Sequence, residues 1–186
     1  MIKFFKHLAT ITRHRHKVMR LCFKLGLYKQ GLLHDLSKYT PSEFVPGVKY
    51  FQGNRSPQAR EREVFGYSAA WLHHKGRNKH HFEYWVDSGK GGFVFVKMPA
   101  RYFGEMICDR IAASKIYMGA GYDDSKPLEY FNTRTHKAGM NAQTCADLEY
   151  FLTLLAQKGE DEMFMQLKKF IKQNSMEERQ SAAQTD

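Results

Sequence analysis

The stretch Gly31-Leu32-Leu33-His34-Asp35-Leu36-Ser37-Lys38 carries the residues with the clearest capacity for chemistry. An imidazole beside a carboxylate, at the end of a short apolar run, can hold a hard or borderline divalent metal ion. Lys38 follows Asp35 by three residues and His34 by four. On a helix it shares their face, where an ammonium can hold a substrate phosphate as a point charge. A polar helix end would contain the same Asp, Ser and Lys, so the metal reading needs further ligands elsewhere in the chain.

Three other places offer them. Ile11, His14, Val18, Leu21 and Leu25 recur at three- and four-residue steps, which puts His14 on the buried stripe of a helix over residues 2–26. His16 is two positions away and faces elsewhere, so at most one of the pair is a core ligand, and the stripe favours His14. The stretch from Trp71 to Trp85 holds four of the nine histidines, His73, His74, His80 and His81, with Lys75, Arg77 and Lys79 among them. No cysteine accompanies them, which excludes a zinc finger. They read either as a second group of metal or phosphate ligands, turned inward at Gly76, or as a basic aromatic loop that stacks on nucleic acid. Asp109 lies on the apolar stripe Tyr102, Met106, Asp109, Ala113, Ile116 of a helix opened by Pro99 and running to about Met118. A lone carboxylate on a buried face is costly or must take up a proton, so a metal or a cation should face it.

The elements that position these residues are read as helices throughout. A second helix carries His34 and Asp35 and stops near Tyr39. Thr40-Pro41-Ser42-Glu43 is a helix start, with Thr40 as N-cap, Pro41 in the first position and Glu43 closing a capping box; that signal concerns structure rather than chemistry. Pro46 kinks or restarts this helix before it ends near Gly53. Ser56-Pro57 opens a helix to about Lys75. Ser88–Val96 is a loop with a short extended segment. Pro127 opens a helix to about Lys137, with His136 at the surface. Asn141 caps a helix to Gln157, and a last helix covers Glu160–Gln173. Residues 174–186 are poor in apolar side chains and read as a disordered tail.

At 186 residues the chain is one domain, or one plus an extension, and long enough to bury a core without staples. The organisation expected is a single helical domain over 1–173, with its core at 11–117 and C-terminal helices at 126–173. Hydrophobic residues make up 42% and aromatic residues 14%, which excludes an intrinsically disordered chain. A net charge of +10 favours anionic partners such as nucleotides or nucleic acid. Cys22, Cys108 and Cys145 are odd in number and far apart, as expected of reduced thiols in a cytoplasmic protein. No run approaches the roughly 18 apolar residues of a membrane span, and no membrane partner is expected.

His14, then His34-Asp35, then the paired histidines, then Asp109 resembles the HD-domain superfamily of metal-dependent phosphohydrolases. Gly31-Leu32-Leu33 and Lys38 match the LLHDxxK form of its motif, and Asp109-Arg110-Ile111-Ala112 looks like its last-Asp helix. The strings GLLHDLSKY-PSEF and WLHHKGRNKHHFEYW are similar to a bacterial and phage HD-like family of unestablished function. The resemblance implies an all-α, HD-like bundle with a metal site in its centre. His14, His34, Asp35 and Asp109 would bind one divalent ion; members with extra histidines between the HD pair and the last Asp can hold a second, and His73, His74, His80 and His81 lie in that interval, with the sequence leaving open which of them turn inward. The cofactor expected is therefore one or two ions of Mn, Fe, Zn, Co, Ni or Mg. The activity implied is hydrolysis of a phosphoester in a nucleotide or similar small anion. Asp35 or Asp109 would orient water, and Lys38, Arg77 and Lys79 would neutralise the phosphate. The rival expectations are a nucleic-acid-binding module with a structural metal and a dinuclear-iron oxygenase on the same scaffold.

Overall fold

The computed structural model describes residues 1–133 and 139–183, with side chains as far as residue 180. Among the described residues the protein is mainly helical, as expected. Its helices are α1 (Ile2–Lys24), α2 (Tyr28–Leu33), α3 (Pro41–Lys49), α4 (Pro57–Phe65), α5 (Ala69–Lys75), α6 (Ala100–Met118), α7 (Lys126–Asn132) and α8 (Ala142–Ala183). One two-stranded antiparallel hairpin, β1 (Val86–Gly89) and β2 (Gly92–Phe95), overlaps the segment read as a loop with a short extended stretch.

The core forms where α6 lies between α1 and α8. Val18, Leu21 and Cys22 of α1 meet Phe103, Ile107, Cys108 and Ile111 of α6, and Leu148, Leu152, Leu155, Met163 and Leu167 of α8 close the other side. All are at most 6% exposed. Each such side chain contributes about 1.5–3 kcal/mol on burial, so this layer is the main source of stability. Cys22 and Cys108 are buried free thiols here, as their apolar context predicts.

α2 is short and lies close against α1. A Cβ at Gly31 would come within 3.0 Å of Cys22 Cβ and 3.2 Å of the Met19 carbonyl oxygen, so glycine permits the approach. That approach brings the next residues, His34 and Asp35, to the wall of α1.

Several boundaries differ from the sequence expectation. The helix after Pro57 does not run unbroken to Lys75; it stops at Gly66, whose φ of +79° ends α4, and restarts with Ser68 Oγ accepting from the Trp71 N–H. α3 runs through Pro46 and ends at Lys49, four residues before Gly53. The break expected between Gln157 and Glu160 falls at Gly159 within α8. Beyond it the helix continues through residues 174–183, where a disordered tail was expected. The segment is rich in helix formers, and Glu178 Oε1 accepts from the Ala100 N–H at 2.8 Å, tying the segment to the start of α6. His136 and the expected end of its helix at Lys137 lie outside the described residues.

Candidate metal centre

The geometry begins with a break in the chain. His34 and Asp35 are not on a continuous helix with Lys38, as the spacing suggested. α2 ends at Leu33, His34 is extended (φ −51°, ψ 127°), and Asp35 is left-handed (φ 54°, ψ 24°) before a 3-10 turn at Leu36–Tyr39. Asp35 is the one non-glycine residue with positive φ among the described residues. Aspartate tolerates that conformation better than most residues, at a cost of about 1–2 kcal/mol. Neighbours on a helix point about 100° apart, so the break is what turns both side chains into one centre. Both are 1% exposed.

Two donor sets share Asp35. In the first, its Oδ2 lies 3.2 Å from His34 Nε2 and 3.6 Å from His14 Nε2. Asp109 Oδ1 completes this set at 3.0 Å from His14 Nε2 and 3.8 Å from His34 Nε2. In the second, Asp35 Oδ1 lies 3.3 Å from His74 Nε2 and 3.5 Å from His80 Nε2, and His81 joins them. Within each set the donor atoms are all within 4.8 Å of one another. Donors about 2.0–2.2 Å from one tetrahedral or octahedral ion stand roughly 3–3.5 Å apart, so these spacings suit metal ligation.

Hydrogen-bond accounting gives the same answer. His14 Nε2, His34 Nε2, His80 Nε2, His81 Nε2 and both Asp35 oxygens are buried without a hydrogen-bond partner of acceptable geometry. Lys38 Nζ does stand 2.6 Å from Asp35 Oδ2, close enough for an ion pair though poorly aligned for a hydrogen bond. So many orphaned polar atoms at one point are costly unless something else satisfies them. These buried His/Asp groups could hold a metal ion.

Behind the donors stand two carboxylates that orient them. Glu105 Oε1 lies 2.8 Å from His34 Nδ1 and 3.1 Å from His80 Nδ1. Glu43 lies 2.7 Å from His74 Nδ1 through one oxygen and 2.7 Å from His73 Nδ1 through the other. Imidazoles that donate Nδ1–H outward keep Nε2 as an acceptor toward the centre, the usual arrangement behind a metal-bound histidine. Asn78 adds a donor to the His74 carbonyl at 2.8 Å and fixes the end of α5.

The electrostatics describe a centre held by charge pairs. Burial disfavours the His34 imidazolium, but Asp35, Glu105 and Asp109 outweigh it and push its pKa up to about 10. His74 is raised in the same way, against burial, by Asp35 and Glu43. Burial pulls Asp35 and Asp109 toward the neutral form; His34 and Lys38 beside the one, and His14 and His80 beside the other, hold both well below the carboxylate range. His81 is the exception, since burial and then His80 and His74 drive it well down, so it stays neutral.

A family model matches residues 3–154, that of the family of unknown function DUF5662. The chain belongs to that family. No curated protein and no solved structure matches it. The match takes in every donor of the centre, so the arrangement lies within the region that defines a DUF5662 member.

Set against the sequence, this DUF5662 chain brings together His14, His34, Asp35, His74, His80, His81 and Asp109. His16 is exposed, which resolves the choice in favour of His14. His73 is not a donor in either set; it sits one step out, on the far oxygen of Glu43. Lys38 is at the centre, whereas Arg77 and Lys79 are exposed, the latter with its ammonium over the Tyr84 and Tyr102 rings. Two residues went unseen. Glu43 was read as half of a capping box, but Thr40 makes no side-chain cap and its hydroxyl donates to the Ser37 carbonyl instead. Glu105 carried a usable signal, since it precedes Asp109 by one helical turn on the same face.

No helix among the described residues is long and apolar enough to cross a membrane.

Proposed function

We propose that this protein is a metal-dependent phosphohydrolase of the HD-domain type, acting on a phosphoester of a nucleotide or a similar small anion. The observation that carries the reading is Asp35, whose two oxygens face two separate donor sets. A carboxylate so placed suits a bridge between two ions. His14, His34, Asp35 and Asp109 would hold one ion, and Asp35, His74, His80 and His81 the other. Imidazole-rich sets favour Mn, Fe, Co, Ni or Zn over Mg.

Bound divalent ions polarise a phosphoryl oxygen and make water a nucleophile near neutral pH. The chain's own groups do the rest. Lys38, anchored on Asp35, neutralises charge on the phosphate. Asp109, less deeply buried than Asp35, pairs its Oδ1 with His14 and would orient a water at the centre. Arg77 and Lys79, being exposed, act at most on a part of the substrate outside the centre.

A dinuclear iron centre is the second reading, favoured by the number of imidazoles in the donor sets. Nucleic-acid binding by the 71–85 stretch has less support, because His74 and His80 are each 1% exposed and turned inward. Elemental analysis of the purified protein, followed by assays of phosphomonoesters and phosphodiesters with each metal, tests the proposal. Two equivalents of metal and turnover of a nucleotide or small phosphoester are expected. Two irons with visible absorption and no hydrolysis with any metal would move the protein to the second reading.

A further inference from the structure

α1 has a second face that the metal centre does not use. His7, Ile11, His14, Val18, Leu21 and Cys22 are its buried residues. Beside them Lys3, Lys6, Arg13, Lys17, Arg20 and Lys24 follow one another at three- and four-residue steps, with Thr10 in the one longer interval. Residues at such steps share one side of a helix. The six cations therefore form a stripe about 31 Å long, at about 1.5 Å of rise per residue. Five of the six are exposed and Lys17 is half-buried.

The stripe is unopposed. Residues 1–34 contain eight Lys and Arg and no Asp or Glu, whereas the remaining 152 residues carry 21 cations and 19 acids. Most of the net charge thus sits at this end of the chain. Among the described residues, Lys24 alone of the six makes an ion pair, to Glu160 at 3.9 Å; Arg13 donates to the Ala9 carbonyl of its own helix. Elsewhere the pattern differs: Arg55 and Arg60 pair with Glu63, and Lys126 pairs with Asp123 and Glu129. Like charges three and four residues apart repel one another and weaken a helix, so α1 carries this stripe against a local penalty that a bound anion would relieve.

A row of fixed cations is complementary to a row of fixed anions. From this we infer that the basic face of α1 binds nucleic acid through its phosphate backbone. One strand of a duplex carries a charge about every 3.4 Å, so roughly nine phosphates lie within the length of the stripe. A lipid surface fits less well. Interfacial helices bury an apolar face among the headgroups, and the apolar face of α1 is already committed to the core. Its exposed apolar side chains stand at the two ends, Ile2, Phe4 and Phe5 at one and Phe23 at the other, with Arg13, His16 and Arg20 exposed between them. The inference does not rest on the phosphohydrolase reading, since the stripe and His14 lie on different faces of α1.

The test is binding of a labelled oligonucleotide of roughly twenty nucleotides, single-stranded and as its duplex, to the full chain by fluorescence anisotropy at about 50 to about 200 mM salt, before and after metal loading. Binding of either form is expected in both states. Six phosphate contacts predict a slope of log affinity against log salt of about −4 to −5. Arg13→Gln with Arg20→Gln, both at exposed positions, should weaken binding at least about tenfold and make that slope shallower by about 2, with the helical circular dichroism unchanged. Lys90→Gln with Lys169→Gln removes the same charge from the hairpin and from α8, and should weaken binding far less. Equal losses in the two pairs, or a slope shallower than about −2, overturn the assignment. Binding to vesicles of anionic phospholipid with none to either oligonucleotide also overturns it and moves α1 to a lipid surface. Binding that requires metal does so too, because the strand is then held by the centre. Oligonucleotide binding as expected, without hydrolysis of any phosphoester, leaves the stripe standing and removes the phosphohydrolase reading. Hydrolysis of a small phosphoester without oligonucleotide binding does the reverse.

Discussion

α6 has two faces, and they solve opposite problems. Toward α8 it presents Phe103, Ile107 and Ile111, sealed among leucines and held by burial alone. Toward the donor sets it presents Glu105 and Asp109, held by pairing with imidazoles. The apolar face is stable whatever the solution contains. The polar face is satisfied only with the right protons or ions in place. The rigid side positions the conditional side: the packing that fixes Ile107 and Ile111 also fixes the angle at which Asp109 meets His14.

The largest effect should come from the shared ligand. Asp35→Asn removes a charge from both donor sets at once, and metal content should fall from stoichiometric to near zero by elemental analysis while the helical circular dichroism persists. Next is the apolar side. Leu152→Ala, at a position with no exposure, should cost about 2–5 kcal/mol in chemical denaturation yet leave the bound metal per folded chain unchanged. If Leu152→Ala empties the site below its unfolding transition, the two faces are not separable as described. Glu105→Gln should act through orientation, lowering metal affinity about 10- to 100-fold in chelator competition with little change in the fold.

The smallest effect is set by pH at His7. Its folded pKa of about 4 lies below the unfolded value near 6.5, so the unfolded chain binds the proton more readily. The contribution of neutral His7 is therefore present above about pH 6.5 and is lost progressively as pH falls toward 4. His7→Phe should flatten that part of the melting-temperature profile. An unchanged slope would place the pH dependence in the centre instead.

Much of this was legible in the sequence because helical stripes record burial directly. His14 sits in step with Ile11 and Val18; Asp109 is one turn from the buried Met106, but Tyr102, Ala113 and Ile116 of its expected stripe are only half-buried, and the packed face of α6 is Phe103, Ile107 and Ile111. The left-handed turn at Asp35 was not legible, because a helix that breaks and resumes as a 3-10 turn keeps nearly the same residue spacing. Glu43 was misread for a different reason. The Thr-x-x-Glu pattern describes a local bond, but its carboxylate is claimed by His73 and His74, thirty residues along the chain, and nothing in the pattern reports a partner so distant. The end of α8 was missed because low hydrophobicity was taken for disorder, when a single bond from Ala100 to Glu178 and good helix formers sufficed.

The donors come from α1, the turn after α2, α5, the loop that follows it, and α6. A filled centre thus joins His14 to Asp109 across more than half the length of the chain. An ion there acts as a removable cross-link between elements far apart in the chain, stabilising the folded state by mass action. Loading should therefore slow the opening of α1 from α6, and amide hydrogens between them should exchange on two different clocks, one for the empty protein and one for the full.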